Sequence, residues 1–249
     1  TAGQALSIGA LLWFITWRTA FKLHLIPGIL MALLLWQLLP PLGQDQEQKK
    51  KGQSYVAAFR ADVLGNIPFL GICLVAALRS IGENIIPTFL PLYLSYELNL
   101  STASIGVYLS SLALVGTIFA PVVGHLSDRW GRKPTIFLCL FSGSLFIMGI
   151  PLIQSPMILF PVISLGGMAI FSTGSVIQAA GLDHAPRELW GAAQSFMDIA
   201  RSSLSLIFPL VAGLIADIYG LSITFYMFGA VNLLAALIIL SVPQRSAKA

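Results

Sequence analysis

The chain has 249 residues, of which 57% are hydrophobic and only 10% are charged, and its mean hydropathy is +0.86. A soluble globular domain carries roughly 25% charged residues, so most of this chain's surface faces something other than water. The net charge of +4 could suggest nucleic acid as a partner. However, the basic residues stand in short segments between apolar runs rather than along one exposed face, which argues against nucleic-acid binding.

Eight apolar runs predict eight membrane-spanning helices. A run of ~20 residues at 1.5 Å per residue crosses ~30 Å of hydrocarbon. Backbone polar groups cannot remain unpaired in lipid, so runs of this length are expected to be helical. Because the first run is already under way at the start, without the basic segment of a signal peptide, we expect a fragment that begins inside a helix. The predicted spans are 1–15, 20–40, 65–93, 103–125, 135–152, 157–180, 190–216 and 221–242.

A polar segment at 43–62 separates two spans from six. Its length and charge favour a flexible cytoplasmic linker over an ordinary loop, which divides the chain into 1–42, 43–62 and 63–249. Basic residues concentrate in this linker, in the loops near 126–134 and 181–189, and in the tail. Because basic loops stay in the cytoplasm, we expect both ends of the fragment to be cytoplasmic, in a multi-pass protein of the plasma or inner membrane.

Residues 124–134 read GHLSDRWGRKP and lie directly between two predicted spans. They resemble the signature loop of the major facilitator superfamily, G-x-L-x-D-R-x-G-R-K/R, which follows the family's second and eighth helices. We expect the glycines to allow a tight turn and close helix approach, the aspartate to face a helix amino terminus or an arginine, and the basic cluster to hold the loop in the cytoplasm. The matching residues are Gly124, Leu126, Asp128, Arg129, Gly131, Arg132 and Lys133.

The resemblance extends along the chain, which is similar to helices five (partial) to twelve of the family. It implies an all-α integral membrane fold, with the carboxyl-terminal six-helix bundle and about two helices of the amino-terminal bundle. It also implies a monomer that transports a small molecule across the bilayer by alternating access. The family's proton-coupled exporters usually carry a Gly-Pro/Gly-Gly motif in helix five. Residues 3–12, GQALSIGALL, lack it, which weakens the antiporter interpretation. Gly213, Asp217 and Gly220 weakly repeat the signature spacing on the opposite membrane face.

Four charged residues lie deep inside predicted spans, and a charge costs ~3 kcal/mol at the bilayer centre on insertion scales. Arg79 and Glu83 are four residues apart, and Asp198 and Arg201 are three apart. Each pair can therefore form an intrahelical ion pair that stabilises helix packing. Alternatively, the arginines bind an anionic substrate group while Glu83 or Asp198 carries a coupling proton. Both interpretations remain open. The amide side chains expected to line a cavity with them are Asn84, Gln178 and Gln194.

The sequence shows no Gly-rich phosphate loop, metal-ligand spacing or nucleophile–base pairing. We therefore expect no enzymatic activity, no metal and no cofactor. Resemblance to the family's exporter-like branch predicts proton-coupled efflux of small organic molecules. The alternatives are uptake or symport of a small organic anion, such as a sugar acid or carboxylate, and a non-transporting membrane sensor or scaffold with the same fold.

Overall fold

The computed structural model describes residues 17–38 and 59–243. Within these ranges the backbone is almost entirely helical, and six helices are long and apolar enough to cross a membrane. The seven α-helices are α1 (Trp17–Leu38), α2 (Ile67–Tyr96), α3 (Thr102–Trp130), α4 (Arg132–Gly149), α5 (Pro156–Leu182), α6 (Trp190–Tyr219) and α7 (Leu221–Ser241). A π-helical turn at Phe59–Leu64 precedes α2, and 3-10 turns lie at Ile150–Leu152 and Arg187–Leu189.

The predicted all-α membrane fold is confirmed, and seven of the eight predicted spans correspond to α1 to α7. The span at 1–15 and most of the predicted linker lie outside the described residues. The predicted loop near 126–134 is wrong in extent, because α3 continues to Trp130 and α4 begins at Arg132. Gly131 alone separates the two helices.

Successive helices from α2 to α7 run antiparallel. We call the end of the bundle that carries Arg132 the basic end, where α3 and α5 finish and α4 and α6 begin. Two hydrogen bonds confirm that other segments reach this end. Asn66 Nδ2, just before α2, donates to the carbonyl oxygen of His184 at 3.0 Å. Lys133 Nζ donates to the carbonyl oxygen of Val242, just after α7, at 2.9 Å.

Local signals fix several helix ends. Asn66 and Ser101 precede α2 and α3, and each side-chain oxygen accepts a hydrogen bond from a backbone amide three residues later, as amino-terminal caps do. Gly131 (φ 97°, ψ 156°) and Gly220 (φ 87°, ψ 162°) form the one-residue turns α3–α4 and α6–α7. This backbone region is essentially restricted to glycine. The weak repeat in the sequence therefore coincides with a shared turn conformation.

Packing leaves one helix largely uncovered. α3 packs mainly on α5, α4 on α7, and α2 against α5, α6 and α7. Small residues let the backbones approach: a Cβ added to Gly167 on α5 would overlap the carbonyl of Leu112 on α3. Within the described bundle α2 is the most enclosed membrane-length helix and α6 the least. Most of the surface of α6 is therefore exposed within the described bundle.

Candidate functional site

Arg79 anchors the site from inside the bundle. It lies in the middle of α2 and is only 3% exposed. Its Nη1 donates to Glu83 Oε2 at 2.8 Å, and its Nη2 donates to the carbonyl oxygen of Ile170 on α5 at 2.8 Å. Gly174 on α5 makes room for the guanidinium, because an added Cβ would stand 3.1 Å from both Nη atoms. A buried cation needs such a partner, since leaving it unpaired is strongly destabilising.

Glu83 links this anchor to α6. The oxygen that accepts from Arg79 also lies 3.6 Å from Arg201 Nη2. Arg201 Nη1 in turn lies 3.4 Å from Asp198 Oδ1, and Gln194 Nε2 donates to Asp198 Oδ2 at 3.1 Å. Both intrahelical pairs expected from the spacing are therefore present. The Glu83–Arg201 contact joins them into one chain of alternating charge across two helices.

A cleft of about 470 Å³ opens beside these charges, between α2 and α6. Hydroxyl and amide groups hold its two walls together: the Oγ atoms of Ser80 and Ser205 are 3.0 Å apart, and Asn84 Nδ2 donates to Ser205 Oγ at 3.1 Å. Asn84 Nδ2 also donates to the carbonyl oxygen of Ser80 at 2.8 Å. The residues lining the cleft are Ser80, Asn84, Asp198, Arg201, Ser202, Ser205 and Leu206.

The cleft lies near mid-depth. α2 and α6 each have 30 residues, a length of ~45 Å at 1.5 Å per residue. Arg79 stands ~18 Å from the start of α2 and Arg201 ~16 Å from the start of α6. Both helices begin at the basic end, so the two cations lie at similar depth. In a bilayer crossed by α2 and α6, charges near the middle of these helices would have the least solvation.

Six of the seven residues predicted for a substrate or proton pathway meet at this cleft or in the charge chain behind it. Gln178 is the exception: it lies on α5 one turn beyond Gly174 toward the basic end and does not line the cleft. Sequence reasoning did not select Ser80 or Ser205 as site residues. The sequence pattern that could have indicated them is a row of polar residues on one helix face. These residues stand at 80, 84 and 88 on α2 and at 194, 198, 201 and 205 on α6.

The signature turn forms a second charged group at the basic end. Arg132 Nη1 donates to Asp128 Oδ1 at 3.1 Å, and Arg132 Nε donates to Asp183 Oδ2 at 3.0 Å. The predicted contact between Asp128 and an arginine is therefore present. Asp183, just after α5, was not singled out in the sequence, since nothing local marks it as a partner of residues 51 positions away. Arg132 thus ties the end of α3 to the end of α5.

The glycines and basic residues of the signature have different surroundings. Gly131 makes the turn, and its carbonyl oxygen accepts from Thr135 Oγ1 at 2.9 Å. Arg129 is exposed in the last turn of α3, where a cation is favoured by the helix dipole. The close approach predicted at Gly124 is wrong for the described helices, because an added Cβ there would meet nothing within 4 Å.

Six membrane-length helices, two of which line a polar, charged cleft partway along their length, define a multi-pass α-helical membrane protein. The sequence model of the Major Facilitator Superfamily matches residues 1–209 and 72–249. The chain therefore belongs to this superfamily of transporters, and the resemblance drawn from the signature residues is confirmed.

The chain is similar to several known proteins over part of their length. It is 30% identical to the tetracycline resistance protein, class H, of Pasteurella multocida over 150 residues, which cover 59% of this chain and 37% of the relative. It is 31% identical to the multidrug resistance protein MdtG of Proteus mirabilis over 163 residues (62% and 39%). It is 30% identical to multidrug resistance protein 1 of Bacillus subtilis over 174 residues (69% and 41%). The chain thus spans about two fifths of the length of these relatives.

Proposed function

We propose that this protein is a secondary active transporter that exports small organic molecules in exchange for protons. The cleft between α2 and α6 is part of its substrate pathway. The observation that carries the proposal is the Glu83–Arg201 contact, which joins charges of two helices beside an open polar cleft. Arg201 is 26% and Asp198 51% exposed, so a solute in the cleft can reach both side chains, which supports the functional interpretation.

The shared arginine supports the proposed coupling to protons. Glu83 and Asp198 both attract the guanidinium of Arg201. Protonation of either carboxylate removes one of these attractions and so changes the position of the Arg201 guanidinium. Because the same guanidinium can contact the substrate, proton binding and substrate binding are coupled through Arg201. This proton-handling role needs neither a catalytic group nor a cofactor, and the protein is therefore not an enzyme in this proposal. Efflux is supported by the relatives, whose names describe resistance to tetracycline and to multiple drugs.

Alternating access supplies the conformational step. Transporters of this kind rock one helical bundle against another around a midplane site. Pro87 and Pro91 in α2 and Pro209 in α6 each remove a backbone hydrogen bond and permit bending close to the cleft. The basic end faces the cytoplasm in this proposal, because positively charged segments are retained there. The protein works as a monomer in the cell membrane.

Uptake of a small organic anion is the second candidate. It is favoured by Arg201, whose guanidinium is partly exposed in the cleft and whose ion-pair contacts with described residues are long, at 3.4 and 3.6 Å. An anion that pairs with Arg201 would bind best once a carboxylate is protonated, which gives symport rather than exchange. Exchange moves substrate and protons in opposite directions, whereas symport moves them in the same direction. The relative direction of the two movements therefore distinguishes the two candidates.

The proposal is tested with the full-length protein in proteoliposomes that contain an internal pH dye and carry an imposed proton gradient. A panel of organic anions, zwitterions and lipophilic cations is added to wild type and to Glu83→Gln and Asp198→Asn. Asp217→Asn is the matched control, since Asp217 is an exposed carboxylate at the other end of α6. We expect substrate-dependent proton movement in wild type and the control, and its loss in Glu83→Gln or Asp198→Asn. Equal proton movement in all four proteins would show that the charges serve packing only, and none in any would refute coupled transport.

A further inference from the structure

We propose that the cleft selects small zwitterions whose cationic group is a hydrogen-bonding ammonium, with the charge pattern of an α-amino acid. In this arrangement the substrate carboxylate pairs with Arg201 and its ammonium pairs with Asp198. The inference rests on the proposed function, because it takes the cleft as the substrate site. It goes further by naming the chemical class that the site accepts.

Charge balance is the first argument. The chain of charges holds two arginines and two carboxylates, Arg79, Arg201, Glu83 and Asp198, and so has no net charge when all are ionised. A zwitterion leaves that sum at zero. While both carboxylates are ionised, a monovalent cation or anion leaves the cleft with a net charge, at a depth where an unpaired charge is costly.

The placement of the two exposed charges is the second argument. Asp198 and Arg201 stand one turn apart on α6 and both line the cleft. The guanidinium of Arg201 has a planar fork that matches a carboxylate, and its present contacts of 3.4 and 3.6 Å are longer than good charged hydrogen bonds. A substrate carboxylate can therefore offer Arg201 better geometry than either protein carboxylate does, while an ammonium takes over Asp198.

The remaining lining is the third argument. Small-molecule sites for drugs are predominantly hydrophobic and aromatic, and quaternary ammonium groups are recognised by aromatic cages. Of the described residues around this cleft, Leu206 is the single apolar one and none is aromatic. The other walls offer the hydroxyls of Ser80, Ser202 and Ser205 and the amide of Asn84. These hydroxyl and amide groups can hydrogen-bond to a polar solute beside its two charged groups.

Three matched pools test the inference on the full-length protein in lipid nanodiscs. The first contains α-amino acids with uncharged side chains, the second contains the corresponding amino alcohols, which are cations, and the third contains the corresponding α-hydroxy acids, which are anions. Side chains and sizes match across the pools, so only the charge pattern differs. The readout is the shift in thermal unfolding temperature as each pool is titrated.

We expect the amino-acid pool to stabilise wild type at concentrations about tenfold lower than either other pool, since one charge-assisted contact separates them. Asp198→Asn is expected to shift the preference toward the hydroxy acids, and Arg201→Gln toward the amino alcohols. Asp217→Asn, which alters an exposed carboxylate of the same helix, should keep the wild-type preference. Equal or stronger stabilisation by either charged pool in wild type, or no stabilisation by any pool, would overturn the inference.

The same pools and a tetracycline-type drug are then compared in the proton-movement assay. Proton-coupled movement of the drug without any effect of amino acids would overturn the zwitterion inference and leave the proposed function standing. Absence of proton-coupled movement with every compound would remove the proposed function as well.

Discussion

Removing the carboxylate of Glu83 is expected to destabilise the bundle more than removing the guanidinium of Arg79. Among the described residues, Glu83 is the only acidic side chain within ion-pair distance of Arg79, which is 3% exposed. Glu83→Met therefore leaves a buried cation without a counter-charge, at a cost of ~3–5 kcal/mol in the free energy of unfolding. Arg79→Met is milder, because Glu83 keeps Arg201 at 3.6 Å and is 22% exposed. We expect ~1–2 kcal/mol for that variant.

The double variant Arg79→Met/Glu83→Met sharpens the test. Replacing both members of a buried ion pair by apolar groups often leaves the free energy of unfolding nearly unchanged. We therefore expect the double variant to be more stable than Glu83→Met alone. The assay is reversible unfolding in mixed micelles, followed by circular dichroism. Asp217→Asn serves as the control and should stay within ~0.5 kcal/mol of wild type, as an exposed surface change does.

Two results would refute this reasoning. If Arg79→Met is as destabilising as Glu83→Met, Arg201 does not hold Glu83 as the structure indicates. If the two single effects simply add in the double variant, the residues do not form one coupled pair.

Three further predictions concern backbone and surface positions. Gly131→Ala should lower the free energy of unfolding by ~1–3 kcal/mol, because its φ of 97° is strained for other residues, whereas Gly124→Ala should have little effect, since its Cβ meets nothing. Gly167→Ala should destabilise the α3–α5 contact, where the new Cβ overlaps a backbone carbonyl, while Gly149→Ala, which has open space, should not. Arg132→Ala should change stability by no more than ~1 kcal/mol, because its two ion pairs are exposed. All are measured by the same micelle unfolding assay.

Each of these expectations has an opposite outcome that would contradict it. Equal stability of Gly131→Ala and Gly124→Ala would mean that the one-residue turn does not require glycine. Similar effects at Gly167 and Gly149 would mean that α3 and α5 are not in close backbone contact. A loss of several kcal/mol in Arg132→Ala would show that the pairs with Asp128 and Asp183 are structural anchors.

The sequence by itself determined the class of fold and the helices. The hydropathy and length of a segment indicate whether it lies in lipid or in water, and both can be read from the local sequence. They therefore predicted seven of the described helices. The signature residues from Gly124 to Lys133 identified the superfamily through their resemblance to its signature loop, which is a pattern of residues at fixed spacing in one short segment. The two intrahelical charge pairs also followed from spacing, since residues three or four apart share a helix face.

Only the tertiary structure decided which of these charges meet. Glu83 and Arg201 lie on different helices, and their contact depends on how α2 packs against α6 and on the rotation of each helix. The same applies to Arg132 and Asp183 at the basic end. Gln178 and Gly124 show the opposite case, in which residue type suggested a role that the packing of the described helices does not provide. Helical periodicity fixes which residues share a face, but the partner of that face is set by contacts between segments far apart in the chain.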